Sequence, residues 1–383
     1  MKRIGCLLIV CLLLSGVFPV QAKAVDLNIP AKSAVLMDVA TGTVLFESNS
    51  HAPLPPASVT KVMTMLLIME AIDAGRIGWN DTVTASETAA AKGGSQIYLK
   101  AGETMSVTDM VKSIAVSSAN DCACAMAEHI AGSESAFVDA MNARAEVLGM
   151  QDTHFVNCSG LDDSEEAKKN HKTSAHDIAV MSRQLLKYHP DIKKFTTIWM
   201  DTVRNGTFGL SNTNKLVRFY SGATGLKTGF TSDAGYCLSA SAQRDGLELV
   251  AVVMGCETSA QRFGACKSLL DYGFANFSLV QPEQPQNAQI PVKLGVAESV
   301  LAVPAEQSAL LIDKSQKNMV TTEIALDAEV TAPVSKGQRL GTMTVKAGQQ
   351  ILKEIPMVAD QPVPRLTFGQ IFLQILKRLC FTK

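Results

Sequence analysis

Ser58-Val59-Thr60-Lys61 sets a hydroxyl and an amine three residues apart, between Pro55-Pro56 and a long apolar run. A serine hydroxyl is a poor nucleophile at neutral pH unless a neighbouring group takes its proton. On a helix, residues i and i+3 share a face with Cβ atoms about 5–6 Å apart, so Lys61 can reach Ser58. A helix N-terminus adds partial positive charge and free N–H groups where an oxyanion would form. A serine in this place can equally be a plain N-cap, and about one S-x-x-K arises by chance in a chain of this length. This chain contains a single one. Two further short elements follow: Ser118-Ala119-Asn120 at the start of a second helical stretch, and Lys227-Thr228-Gly229 opening a strand pattern.

These residues must be brought together by elements far apart in the chain. Ala34 to Met37 and Thr43 to Phe46 are apolar runs around a Gly-containing loop, which predicts a β-hairpin. Ser58 is expected to begin a helix made largely buried by Val62, Met63, Leu66, Leu67 and Met69. Helical patterns continue to Tyr188. Around Lys227 the pattern turns to strands, with Tyr236 to Ala242 and Leu247 to Met254 flanking Arg244-Asp245-Gly246. Asp-Gly between apolar runs is a strong hairpin signal. Gln261 to Phe274 returns to helical spacing. Strands at both ends with helices between predict one sheet closed by the chain termini and backed by a helical subdomain.

Composition bounds the rest. The chain has 383 residues, 47% hydrophobic and only 5% aromatic, so the interior must be aliphatic. Two domains fit that length. The formal net charge of −1 and the lack of a basic stripe argue against nucleic acid as a partner. Lys2 and Arg3 ahead of apolar Leu7 to Leu14, with small residues around Ala22 and Ala24, predict a secretory signal over 1–24. The apolar stretch is shorter than the roughly 20 residues of a membrane span. Seven of the nine cysteines lie beyond it, an odd set without C-x-x-C or zinc spacing; they are expected to be small buried side chains. No metal or cofactor is expected.

Residues 281–287 read as a linker of Pro, Gln and Asn. From Ile290 to Val363 the runs are short and punctuated, with strands expected at 292–294, 323–326, 339–345 and 351–357 in a small β-sandwich or barrel. Arg365 to Lys383 has Phe368, Ile371, Phe372, Ile375, Leu376 and Leu379 on one broad face and basic residues at its ends. That pattern fits an interfacial amphipathic helix at a membrane surface, or a helix docked on its own protein.

Taken in order, the S-x-x-K, S-x-N and K-T-G elements resemble the signature of penicillin-recognising acyl-serine enzymes. The surrounding segments are similar to the serine-type D-alanyl-D-alanine carboxypeptidases of the S11 peptidase family, the low-molecular-mass penicillin-binding proteins. Among them are Pro56 to Thr64, Phe155-Val156-Asn157, Gly160-Leu161, Asn212 to Leu216 and Gly225 to Gly229, and then Lys336-Gly337-Gln338. The resemblance spans roughly residues 30 to 360. It implies an α+β catalytic domain (antiparallel sheet with helical subdomain) over 25–280, a small all-β domain over 281–364, and a membrane-anchoring helix over 365–383.

The resemblance also implies roles. Ser58 would attack the bond between two terminal D-alanines of a peptidoglycan pentapeptide, and β-lactams would acylate the same hydroxyl. Lys61 would take the proton, its pKa lowered by desolvation and by Lys227. Ser118 would relay the proton to the leaving amine, and Asn120 would hold the substrate amide. Lys227 and Thr228 would bind the terminal carboxylate, Gly229 would let the substrate approach the strand edge, and Arg262 matches a position linked to that carboxylate. The backbone N–H groups of Ser58 and Phe230 would form the oxyanion hole. Ala119 departs from the Gly frequent there in the family, and Phe230 stands where His is also found. The enzyme would act at the outer face of the cytoplasmic membrane, in the periplasm or cell-wall space.

Two other readings compete. A class A-like β-lactamase needs a Glu that activates water; Glu166 followed by Asn170 echoes that loop, but Lys169 stands where an apolar residue belongs. Charged Asp162 to Lys169 instead reads as a solvated loop. A non-catalytic penicillin-binding cell-wall protein would have no need of a nucleophile with its own base.

Overall fold

The computed structural model describes residues 27–283, 285, 288–306 and 309–381; the expected secretory signal lies outside the described residues. Strands β1 (Ser33–Asp38) and β2 (Val44–Ser48) form the expected hairpin. The Asp38 carboxylate closes its loop by accepting from the Thr41 backbone N–H at 2.7 Å and the Thr41 hydroxyl at 2.6 Å. Three later strands complete the sheet: β3 (Ala223–Thr231), β4 (Gly235–Arg244) and β5 (Leu247–Cys256). Their order is β2-β1-β5-β4-β3, antiparallel throughout. Asp245 and Gly246 both take positive φ in the two-residue turn between β4 and β5, the geometry that Asp-Gly favours.

The central strand β5 is buried along its whole length, and its side chains divide by alternation. Val250, Val252 and Met254 join the core beneath the helices, while Leu249, Ala251 and Val253 pack on the opposite face against α7 (Ser259–Asn276). On the first face lie α1 (Lys61–Asp73), α2 (Val107–Ser117), α3 (Asn120–Ala131), α4 (Glu134–Val147) and, after the short α5 (Glu165–Asn170), α6 (Ala175–Tyr188). Helix α1 buries residues on every side, as expected of a helix that is apolar all round. The sheet therefore leaves β3 as an edge strand beside the helices.

Four sequence expectations shift. Ser58 precedes the helix, lying in a 3₁₀ turn over Ala57–Thr60, and α1 starts at Lys61. Ser118 is the C-cap of α2 in left-handed conformation (φ 63°), and only Asn120 begins the next helix. Lys227 lies in the middle of β3, because pairing with β4 extends back to Ala223. Residues 165–170 are helical, since the Ser164 side chain accepts from the Ala167 N–H and caps the turn; Glu166 is exposed, as a solvated segment requires.

Beyond α7 the chain runs through β6 (Phe277–Val280), β7 (Gln289–Lys293), β8 (Ser299–Pro304), β9 (Leu310–Asp313), β10 (Val320–Leu326), β11 (Val330–Thr331), β12 (Arg339–Ala347) and β13 (Gln350–Ala359). Six of them pair in the order β10-β12-β13-β8-β7-β11, while β6 pairs with β9. The strands at 299–304 and 310–313 escape sequence reading: the first is an unbroken apolar run from Val300 whose inward alternation of Val300 and Ala302 appears only on folding, and the second is four residues long. A separate core of Ile290, Val300, Leu340, Val345, Ile355 and Met357 holds this unit. Helix α8 (Phe368–Phe381) follows, with Phe368, Phe372, Leu373, Ile375 and Leu376 exposed. No helix among the described residues is long and apolar enough to cross a membrane.

Candidate active site

The turn at 57–60 presents Ser58 half-buried beside β3. Its shape is held from several sides. Ala57 takes φ 49°, the Thr60 hydroxyl donates to the Ala57 carbonyl at 2.8 Å, and β3 lies against the turn. A Cβ at Gly229 would stand 2.6 Å from the Pro56 oxygen and 3.1 Å from the Val59 nitrogen. Glycine at 229 is thus required for β3 to pack on the protein's own nucleophile turn, where the sequence reading assigned it to approach of the substrate.

Lys61 is fully buried and its ammonium donates to Ser58 Oγ at 2.9 Å and to the Ser159 carbonyl at 2.8 Å. Burial lowers its pKa to about 7 against the opposing pull of the Asp121 carboxylate. Cys158 adds no negative charge, because burial pushes that thiol well above its ordinary range. Lys227 is also buried, and burial with repulsion from Lys61 and Arg262 puts its pKa well below that of a free lysine. Desolvation alone lowers the Lys61 pKa; the expected contribution of Lys227 is missing, because the repulsion between the two amines falls on Lys227. Burial thus moves Lys61 toward the neutral amine near pH 7, the state a base requires.

A second part of the site is the junction between α2 and α3. Ser118 is held there in left-handed geometry and is buried. Asn120 donates from Nδ2 to the Gly93 carbonyl at 2.7 Å, and its backbone N–H donates to the Ser95 carbonyl at 2.7 Å. Its Oδ1 is buried without a partner. A buried polar atom left unpaired costs about 1–3 kcal/mol, so this oxygen is an acceptor awaiting a donor. Asp121 braces the neighbouring loop by accepting from the backbone N–H groups of Ile97 and Leu99.

Along β3, Lys227 donates to the Thr228 carbonyl at 3.0 Å, and Thr228 shares a 2.7 Å hydroxyl–hydroxyl bond with Thr213. Thr213 is tied to α2 by its N–H to the Val116 carbonyl. Asn212 and Asn214 stiffen that segment, Asn214 Nδ2 donating to the Gly225 carbonyl at 2.9 Å. Arg262 lies on α7 and donates to the Gly229 carbonyl at 3.0 Å. Its guanidinium stacks over Tyr236 and Phe263. In this state it supports the backbone of β3. Phe230 is exposed and packs its ring 4.4 Å from that of Tyr236.

The structure thus brings Ser58, Lys61, Ser118, Asn120, Lys227, Thr228 and Gly229 to the same α/β junction, with Arg262 behind the strand. Sequence reasoning gave no role to Asn157, Ser159, Gly160 or His171. Asn157 Oδ1 accepts from the Gly160 N–H at 2.7 Å and shapes the segment whose carbonyl holds Lys61. The similar segments at 155–161 and 212–216 were the available signal. The six cysteines at 122, 124, 158, 237, 256 and 266 are buried free thiols, as composition suggested; the side chain of Cys380 lies outside the described residues.

Comparison with known proteins follows the same two units. The family model for D-alanyl-D-alanine carboxypeptidase matches residues 19–258, and that for the C-terminal domain of penicillin-binding protein 5 matches residues 274–365. The chain is 43% identical over 345 residues to the D-alanyl-D-alanine carboxypeptidase DacF of Bacillus subtilis, covering 88% of this chain and 87% of that protein. It is 32% identical over 357 residues to DacC of Escherichia coli, covering 90% and 86%. Among solved structures, penicillin-binding protein 5 from Haemophilus influenzae superposes with a TM-score of 0.74 at 31% identity, covering 91% of this chain and all of that one. Penicillin-binding protein D2 from Listeria monocytogenes, solved in an ampicillin-bound form, gives 0.56 at 31% identity over 64% of this chain and 98% of that one. With motif geometry, domain order and sequence in agreement, the chain belongs to the D-alanyl-D-alanine carboxypeptidase family, peptidase family S11.

Proposed function

We propose that this chain is a serine-type D-Ala-D-Ala carboxypeptidase that removes the terminal D-alanine of peptidoglycan pentapeptides through an acyl-serine intermediate. The observation that carries it is the contact of Lys61 Nζ with Ser58 Oγ at 2.9 Å, made by an amine that burial brings to a pKa of about 7. Neutral Lys61 takes the Ser58 proton as Oγ attacks the carbonyl of the penultimate D-alanine. The tetrahedral oxyanion is stabilised by backbone N–H groups of Ser58 and Phe230, and its collapse breaks the C–N bond. Ser118 passes the proton to the departing amine of D-alanine. Water then hydrolyses the ester with Lys61 again receiving the proton.

Substrate binding follows from the unpaired groups. The Asn120 Oδ1 orphan accepts an amide N–H of the stem peptide. The negative charge of the arriving carboxylate favours the ammonium form of Lys227, which takes its proton from solvent, and Lys227 and Thr228 hold that carboxylate; Arg262 acts through the Gly229 carbonyl. A β-lactam presents the same carboxylate and amide to the same groups. The exposed apolar face of α8 supports a peripheral attachment to the outer face of the cytoplasmic membrane, with the β unit as spacer.

Release of D-alanine from a synthetic peptide ending in D-Ala-D-Ala, together with covalent labelling by a fluorescent penicillin, tests the reading. Both are expected in the wild-type chain and neither in Ser58→Ala with its fold intact. Single-site labelling of Ser58→Ala would refute the nucleophile. Rapid β-lactam turnover without D-alanine release would favour the lactamase reading instead.

A further inference from the structure

His171 belongs to none of the three motifs, yet both of its ring nitrogens are committed to the active-site scaffold. It is buried between α5 and α6. Its Nδ1 accepts the Val156 backbone N–H at 3.1 Å, and its Nε2 lies 2.8 Å from Thr60 Oγ1. A ring nitrogen that accepts an N–H carries no proton, so a neutral ring must hold its proton on Nε2. Burial keeps the ring neutral by lowering its pKa to about 3. Nε2–H therefore donates to the Thr60 hydroxyl, and the Thr60 hydrogen goes on to the Ala57 carbonyl at 2.8 Å. The first bond fixes the direction of the other two.

This line ends on the residue that precedes the nucleophile. Ala57 is held at φ 49°, a left-handed conformation that L-residues other than Gly, Asn and Asp avoid. The other end leads to the base. Val156, bonded to the ring, leads through Asn157 to Cys158 and Ser159, whose carbonyls accept from Thr64 at 2.5 Å and from Lys61 at 2.8 Å. His171 thus couples the turn that carries Ser58 to the segment that orients Lys61.

We infer that His171 is a positioning residue for acylation: through Thr60 its ring fixes the Ala57 carbonyl, and with it the aim of Ser58 Oγ toward Lys61. It touches no reacting atom. The inference rests on Ser58 being the acylated residue. Misplacement of a nucleophile by about 1 Å lowers rate on the order of 10²-fold, which sets the size of the effect.

The test separates the two ring nitrogens. In the full-length chain, acylation by a fluorescent penicillin is followed at several concentrations, giving the dissociation constant of the first complex and the acylation rate separately. The amide nitrogen of His171→Gln reaches the Nε2 position, whereas that of His171→Asn reaches only Nδ1. His171→Gln is expected within about threefold of wild type, and His171→Asn about 10²-fold slower in acylation with the first complex unchanged. Thr60→Ser should acylate normally and Thr60→Val should fall with His171→Asn. Combining Thr60→Val with His171→Asn should add no further loss, as expected for members of one line. A Thr60→Val variant that acylates at the wild-type rate overturns the role of His171, as do Gln and Asn variants that decline together in proportion to lost thermal stability. A wild-type chain that takes no label at Ser58 would instead overturn the carboxypeptidase reading on which the inference stands.

Discussion

Gly160 lies so close to the Ala57 carbonyl that a Cβ on residue 160 would stand 1.8 Å from the Ala57 oxygen and 2.6 Å from Thr60 Oγ1. The two segments are more than a hundred residues apart, and their contact places the Ser159 carbonyl on Lys61. Gly160 also takes φ 78°, where a side chain is strained. Gly160→Ala is therefore expected to displace the nucleophile turn and lower acylation by about 10²-fold or more. Stopped-flow labelling with a fluorescent penicillin reads this directly. Wild-type acylation in a folded Gly160→Ala chain would show that the turn tolerates the displacement.

The Lys61 base makes a pH prediction whose sign is fixed. Only the neutral amine can take the Ser58 proton, and its pKa is about 7. Below that value the active fraction falls about tenfold per pH unit, and above it the acylation rate levels off. The limb should belong to the free enzyme, and so appear in the second-order acylation constant. Lys61→Arg should lose it together with nearly all activity, because a guanidinium stays charged throughout this range. Acylation by the Arg variant within an order of magnitude of wild type would require another base.

Glu166 supplies the discriminating variant against the lactamase reading. It projects from α5 into solvent while the short helix is held by the Ser164 cap and by buried Ala167. A general base for deacylation has to hold a water against the ester, within about 3 Å. Glu166→Gln should leave both labelling and D-alanine release within about twofold of wild type, the range of an exposed substitution. Accumulation of acyl-enzyme in this variant would return Glu166 to the mechanism.

The reacting side chains were legible in the sequence because each sits in a short motif whose spacing has its own chemistry. Ser58 with Lys61 is local; Ser118 with Asn120 and Lys227 with Thr228 are local too. The supports were not legible, since they act through backbone atoms or across long separations. The Ser159 carbonyl has no side-chain signature, and His171 meets Thr60 from 111 residues away. Gly229 was legible as an obligatory glycine, but the atom that forbids a side chain, the Pro56 oxygen, appears only on folding. In the β unit, alternation marked residues 339–345 and 351–357 within the longer strands Arg339–Ala347 and Gln350–Ala359, whereas Leu310–Asp313 is short and half-buried and gives no period to read.

The terminal helix yields the last prediction. Thr367 and Gln370 exchange bonds at its start, the Thr367 N–H donating to Gln370 Oε1 at 2.8 Å and the Gln370 N–H to Thr367 Oγ1 at 3.4 Å. The helix therefore begins by its own capping, just after Arg365 pairs with Gly295 of the β unit. Its exposed Phe368, Phe372, Leu373, Ile375 and Leu376 find no cover on the protein. Burying them in a bilayer interface would contribute several kcal/mol at about 25 cal/mol per Å², and Lys377, Arg378 and Lys383 would add attraction to anionic headgroups. Truncation after Pro364 should abolish binding to anionic lipid vesicles in a flotation assay while leaving hydrolysis of small D-Ala-D-Ala peptides within about twofold, because none of the site residues lies beyond Arg262 and the β unit keeps its own core. A truncated chain that still floats with vesicles would place the membrane contact elsewhere. One that loses activity on small peptides would make the helix part of the catalytic fold.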